Sequence, residues 1–146
     1  MVSSAAVRAS FDRSFGLYRD LLEVLDEDGL QSRLPGLPSN AIGAQLWCVI
    51  GARESYARAI AAGEWVGFSC SLDEPGRPAK VAASLESSES AVSQVLRRPG
   101  ETTEAQDRLV LDLLEHEAQH QGQLIRYLYA LRLEIPASWR ARYALD

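Results

Sequence analysis

LVLDLLEHEAQHQGQLIRYLYAL, residues 109–131, decides how this chain is to be read. Leu109, Leu113, Gln123, Leu124, Tyr127 and Leu131 lie on one helical face. Steps of three and four residues put side chains above one another on an α-helix. His116 and His120 are four residues apart, so they fall one turn apart on that same face. A face this apolar turns inward, and a buried imidazole needs a partner for each ring nitrogen. One metal ion would satisfy both rings at once. The plainer alternative is a pair of polar residues at a helix-bundle rim, hydrogen-bonded to carboxylates such as Glu115, Glu117 or Glu54.

Working back from this stretch, Thr103 and Gln106 have the spacing of a capping box, which starts the helix at about 103. Three other segments are helical by the same periodicity. The first covers 4–27, with Val7, Phe11, Phe15, Tyr18, Leu21, Leu22 and Leu25 at helical steps. It ends at DEDG, and a loop rich in Pro and Gly follows. The second covers 40–62, capped by Ser39 or Asn40 and stopped by Gly63, with Ile42, Leu46, Val49, Ile50 and Ile60 inward. The third covers 80–97, with Val81, Leu85, Val92, Val95 and Leu96 inward. Residues 65–79 form a loop carrying aromatics and a cysteine, and the tail from Pro136 holds one short turn. No stretch alternates with period two. The expected fold is all-α: a single domain over 1–146, an antiparallel four-helix bundle with a longer connection between helices two and three.

Composition narrows the function. The 146 residues, 47% hydrophobic, suffice for one domain with a core. No run reaches the roughly 18 apolar residues of a membrane span. The N-terminal stretch is broken by Arg8, Asp12, Arg13, Arg19 and Asp20, unlike a signal peptide, so a cytoplasmic protein with no membrane partner is expected. A net charge of −5 argues against a nucleic-acid partner. Cys48 and Cys70 are too few for a disulfide framework.

HEAQH, 116–120, also reads as H-E-x-x-H, the zinc-protease signature. That chemistry needs a third ligand, usually downstream, and a strand to hold the substrate peptide. Past His120 the acidic residues are Glu134 and Asp146, and no strand is foreseen. Glu117 is turned by about 100° from His116 and about 60° from His120, so it flanks the pair only loosely. The protease reading is therefore set aside.

LLEHEAQHQGQLIRYLYAL, 113–131, resembles the last core helix of the DinB-like (DinB/YfiT-like) family of metalloenzymes. IGAQLWCVIGARESYARAI, 42–60, resembles that family's second helix, and the apolar spacing of the other two helices agrees. The resemblance implies an up-down-down-up four-helix bundle, often a homodimer. It also implies a divalent metal (Zn, Ni or Fe) held by three histidines, one from helix two and two from the H-x-x-x-H of the last helix. His116 and His120 take the latter roles directly. Matching VIGARES, 49–55, puts Cys48 where the family has its helix-two histidine. Cys48 is then either a thiolate ligand or a small buried thiol that only packs. Gln45 and Glu54 are weaker candidates. Tyr127 could orient a bound water, and Trp47 and Trp65 could line a pocket mouth.

Relatives in this family include thiol-dependent transferases and isomerases using bacillithiol, mycothiol or glutathione. The leading expectation is a metal-dependent S-transferase or isomerase acting on a small-molecule substrate with a low-molecular-weight thiol. The alternatives are a non-enzymatic stress-response or small-molecule-binding bundle whose metal site is degenerate, and a metal-dependent hydrolase. A homodimer is expected through Phe11, Phe15, Leu17 and Tyr18 of helix one.

Overall fold

The computed structural model describes residues 3–146. The described residues form an all-α structure of six helices. These are α1 (Ser4–Glu23), α2 (Glu27–Gln31), α3 (Ile42–Ala62), α4 (Pro78–Leu96), α5 (Glu104–Ala130) and α6 (Ala137–Tyr143). Helix α3 packs against both α4 and α5, and α1 lies against the same two helices. No helix among the described residues is long and apolar enough to cross a membrane.

The capping box is formed in full. Thr103 Oγ1 accepts from the Gln106 amide at 3.2 Å, and the Gln106 side chain accepts from the Thr103 amide at 2.9 Å. Gln106 also donates from Nε2 to the Ile60 carbonyl at 2.8 Å, tying the start of α5 to the last turn of α3. Gly63 ends α3 at φ 82°, a left-handed conformation that costs glycine little.

Several expectations are corrected. The first helix ends at Glu23 rather than 27, and a second short helix, α2, follows from Glu27, capped by Asp26, whose side chain accepts from the Gly29 amide at 2.8 Å. Neither Ser39 nor Asn40 caps α3: the cap position is Ala41, and Ser39 Oγ accepts from the Leu34 amide instead. Pro78 starts α4 two residues early, where its missing N–H costs no helical bond. The tail turn is the seven-residue helix α6. It is anchored by Trp139, fully buried, whose indole N–H donates to the Leu17 carbonyl at 2.7 Å. On α5 the inward glutamine is Gln121, not Gln123. Phe11, Phe15, Leu17 and Tyr18 are all buried inside the chain, so they offer no surface to a second copy.

The core falls into two clusters. One gathers Tyr18, Leu21, Leu46, Ile50, Leu85, Leu124 and Trp139; the other gathers Phe11, Phe15, Ala52, Ile60, Val92 and Leu113. A charged residue, Arg53, lies at the centre of this apolar packing and is fully buried.

Candidate metal centre

Contacts along the α3–α5 seam fix its direction. Gln45 meets His120, Cys48 meets His116, Arg53 meets Glu117, and Ile60 meets Gln106. From Gln45–His120 to Ile60–Gln106 the numbers rise on α3 while they fall on α5, so the two helices run antiparallel. That register brings Cys48, His116 and His120 together, with one donor atom from each lying within 4.8 Å of the others. Ligands about 2.0–2.3 Å from a common tetrahedral ion stand roughly 3.3–3.6 Å apart. Cys48 Sγ and His116 Nε2 are 3.6 Å apart, which matches that spacing, and the two imidazole centroids are 4.6 Å apart.

The ring nitrogens carry the test of whether a cation fits. His120 Nδ1 faces Gln45 Oε1 in a short hydrogen bond. A carbonyl oxygen only accepts, so Nδ1 holds the proton and Nε2 keeps a free lone pair. Ligating histidines are commonly oriented in this way. His116 Nδ1 is buried with no hydrogen-bond partner. The other ring nitrogen, Nε2, faces the Cys48 thiol, and two imidazoles beside a thiol sulfur are a donor set that fits a divalent cation.

Electrostatics agree. Burial lowers the pKa of His116, with Glu117 opposing. Burial, and then the neighbouring His116, push His120 down to about 4. Both rings are thus neutral at neutral pH, and a cation need displace no proton from them. Burial raises the Cys48 thiol above its usual value, so in the metal-free chain it stays protonated. A bound cation would reverse that preference.

Behind the histidines lies a polar network that sequence reasoning missed. Arg53 donates to both oxygens of Glu117, from Nε at 2.6 Å and from a terminal nitrogen at 2.9 Å. Ser14 Oγ donates to Glu117 Oε2 at 2.5 Å and accepts from Gln121 Nε2 at 2.7 Å. Tyr143 closes the chain by donating to Gln121. The Tyr18 hydroxyl donates to the Glu117 carbonyl at 2.8 Å, and the Arg53 guanidinium lies over the Phe15 ring at 4.6 Å. Burial works against the charge of Arg53, but the Glu117 carboxylate outweighs it and the net shift is upward. The sequence did hold a signal: Arg53 shares a face with Leu46, Ile50 and Ala57, and an arginine amid apolar positions needs a carboxylate.

The remaining candidates are placed elsewhere. Glu54 accepts from the Ser71 amide and hydroxyl, outside the cluster. Tyr127 donates to the Asn40 carbonyl at 2.5 Å, so its hydroxyl is not free to orient a water at the histidines. Glu115 is exposed. None of Glu54, Glu115 and Glu117 partners a histidine, which removes the plainer carboxylate reading. Trp47 and Trp65 are half-exposed and pack on Phe68 and Tyr56 respectively. A cavity of about 600 Å³ opens at the other end of α5, between Val7, Ile60, Leu96 and Val110. It contains none of the three donor residues, and donor geometry is the stronger pointer to chemistry here.

Compared with models of known protein families and with curated proteins, the chain matches none.

Proposed function

We propose that this chain is a DinB-like four-helix bundle, built from α1, α3, α4 and α5, that holds one divalent cation with Cys48, His116 and His120. We read it as a metal-dependent enzyme of the thiol S-transferase or isomerase kind. The observation that carries the proposal is the convergence of three donor atoms from two helices, all within 4.8 Å of one another, with His116 Nε2 facing Cys48 Sγ. The two sequence fragments that resemble the DinB-like family supply the reaction class.

The chain's own residues have distinct tasks in this reading. Burial keeps both imidazoles neutral and ready to ligate. Gln45 fixes the tautomer and ring orientation of His120. The Arg53–Glu117 pair sets the rotation of α5, so both histidines face Cys48. Bound there, a divalent cation would lower the pKa of a low-molecular-weight thiol towards neutrality. In the S-transferase version, the sulfur lone pair forms a new S–C bond to an electrophilic carbon. The leaving group departs with its bonding electrons, and the thiol proton passes to solvent.

Hydrolysis of the zinc-protease type is disfavoured by one observation. Glu117, the residue that would act as general base, is fully buried and engaged by Arg53 and Ser14. The non-enzymatic reading is kept alive by Cys48, whose raised thiol suits a residue that only packs.

Elemental analysis separates these readings. Protein purified without a histidine tag should carry about one metal per chain, and His120→Ala should carry almost none. Equal metal in the two would overturn the assignment. Metal-loaded protein that fails to accelerate conjugation of glutathione to a chloro-dinitroarene, with chloride release, would remove the transferase reading and favour the binding bundle. Homodimerisation stays part of the proposal on the resemblance alone, and light scattering reporting the mass of a single chain would remove it.

A further inference from the structure

Resting on the metal-centre reading above, we propose that the aromatic pair Trp47–Phe68 is the docking wall for a flat apolar group on the small molecule that reaches the centre. Trp47 is 37% exposed and Phe68 46%, and their ring centroids are 5.3 Å apart. Two large aromatic side chains held together in water forgo the gain that burial would bring. Their exposed faces are available to cover an apolar group brought beside them.

The wall is held in place rather than merely left outside. Residues 68–71 run as a strap along α3 and are fastened at successive positions. The Ser69 amide donates to Ser55 Oγ at 3.0 Å, and Ser55 Oγ donates back to the Ser69 carbonyl at 3.1 Å. Arg58 donates to Ser69 Oγ at 2.6 Å. The Ser71 amide donates to Glu54 at 2.9 Å, and Cys70 donates to the Trp47 carbonyl at 3.4 Å. Gly51 lets the Phe68 ring lie against α3: a Cβ there would stand 2.4 Å from Phe68 Cζ.

Position ties the wall to the centre. Gly51, under the Phe68 ring, is three residues past Cys48 and so its neighbour on the helix surface, and Trp47 joins that side through its contact with Phe68. Cys48 and His116 are both only half-buried, so the donor set is not sealed from solvent. A substrate with a reactive atom at the cation and a planar apolar substituent would lay that substituent on the two rings. The patch is one aromatic pair beside the donor set, a size that suits a small-molecule substituent.

The test uses Co²⁺-loaded full-length protein and two probe thiols, phenylmethanethiol and ethanethiol, with affinity read from the thiolate-to-cobalt charge-transfer band. The ratio of the two affinities in wild type, divided by the same ratio in Trp47→Ala or Phe68→Ala, cancels the intrinsic difference between the thiols. That quotient is expected to be about tenfold, the scale of one good aromatic contact. Phe68→Leu, which keeps an apolar side chain, should give an intermediate value. A quotient near one with Co²⁺ retained overturns the docking wall and leaves the metal centre standing. Failure of wild type to hold Co²⁺ overturns the metal reading and this inference with it. A quotient near one, together with halving of the particle mass in Trp47→Ala, would assign the pair to contact with a second copy, again overturning the inference.

Discussion

Replacing Arg53 with Met probes the device that holds the histidines in register. Both partners of the Arg53–Glu117 pair are 1% exposed at the side chain. Removing the guanidinium deletes two charge-assisted hydrogen bonds to the carboxylate and leaves it with Ser14 alone. Breaking a buried pair from one side costs about 3–5 kcal/mol, because an uncompensated charge stays inside. Against a total stability of about 5–15 kcal/mol, this is a large fraction. With a urea slope of about 1–3 kcal/mol per molar, the unfolding midpoint should fall by at least about 1 M. Removing both charges, in Arg53→Met with Glu117→Leu, should recover most of the loss, since apolar replacements of buried pairs are often near neutral. Arg53→Lys keeps the charge without the fork geometry and should fall between. Urea titrations of the metal-free proteins, read by circular dichroism, give the stabilities of wild type, these three variants and Glu117→Leu alone. A loss below about 1 kcal/mol in Arg53→Met would refute the reasoning. So would a double variant as unstable as the sum of its singles, since contacting residues should couple.

Other outcomes follow from the same contacts. Gln45→Leu removes the acceptor that orients His120 and should weaken metal binding about 10- to 100-fold, measured by competition with a chromophoric chelator. Unchanged affinity would show that Gln45 does not position the ring. In a Cys70→Ser background, Zn²⁺ should slow alkylation of Cys48 strongly, and Co²⁺-loaded protein should show a thiolate charge-transfer band. Absence of both effects would make Cys48 a packing residue. Trp139→Ala empties a fully buried site and strips the Leu17 carbonyl of its donor. It should cost about 3–5 kcal/mol and lower Tm by about 6–15 °C, and a shift under about 3 °C would mean that α6 contributes little.

The long helices were legible because their signals are local. Apolar steps of three and four marked α1, α3, α4 and α5, and Thr103 with Gln106 marked the start of α5 to the residue. What stayed hidden depended on contacts distant in sequence. Trp139 looks like a loose tail residue until Leu17, 122 positions away, supplies its acceptor. Asp26 reads as the end of one helix, yet it also caps the next, since an aspartate serves a turn and a cap equally well. Of the site, the histidine pair was visible from spacing alone. Cys48 was not, and it entered only through the resemblance, because a thiol on an alanine-rich helix has no pattern of its own. Gln45 came into view only as a weak candidate ligand, whereas the structure makes it the hydrogen-bond partner of His120 Nδ1.

The five letters HEAQH carry two opposed requirements. One turn of helix separates His116 from His120, so a single cation can serve both. One residue separates His116 from Glu117, and about 100° of rotation comes with it. In a zinc protease that rotation still leaves the glutamate within reach of the reacting water. Here the same rotation carries Glu117 into the core, where Arg53, Ser14 and the helix packing consume its acceptors. A fully buried carboxylate whose oxygens are already engaged by Arg53 and Ser14 has no open face for the water that a general base must serve. The glutamate is thus a buried tie between α5 and α3, one residue from His116. It follows that Glu117→Gln should disturb stability and metal affinity together, while any chemistry at the cation proceeds without a protein carboxylate. A variant that kept its fold and full metal content yet lost all turnover would show the opposite, and would return Glu117 to the role that the bare motif assigns it.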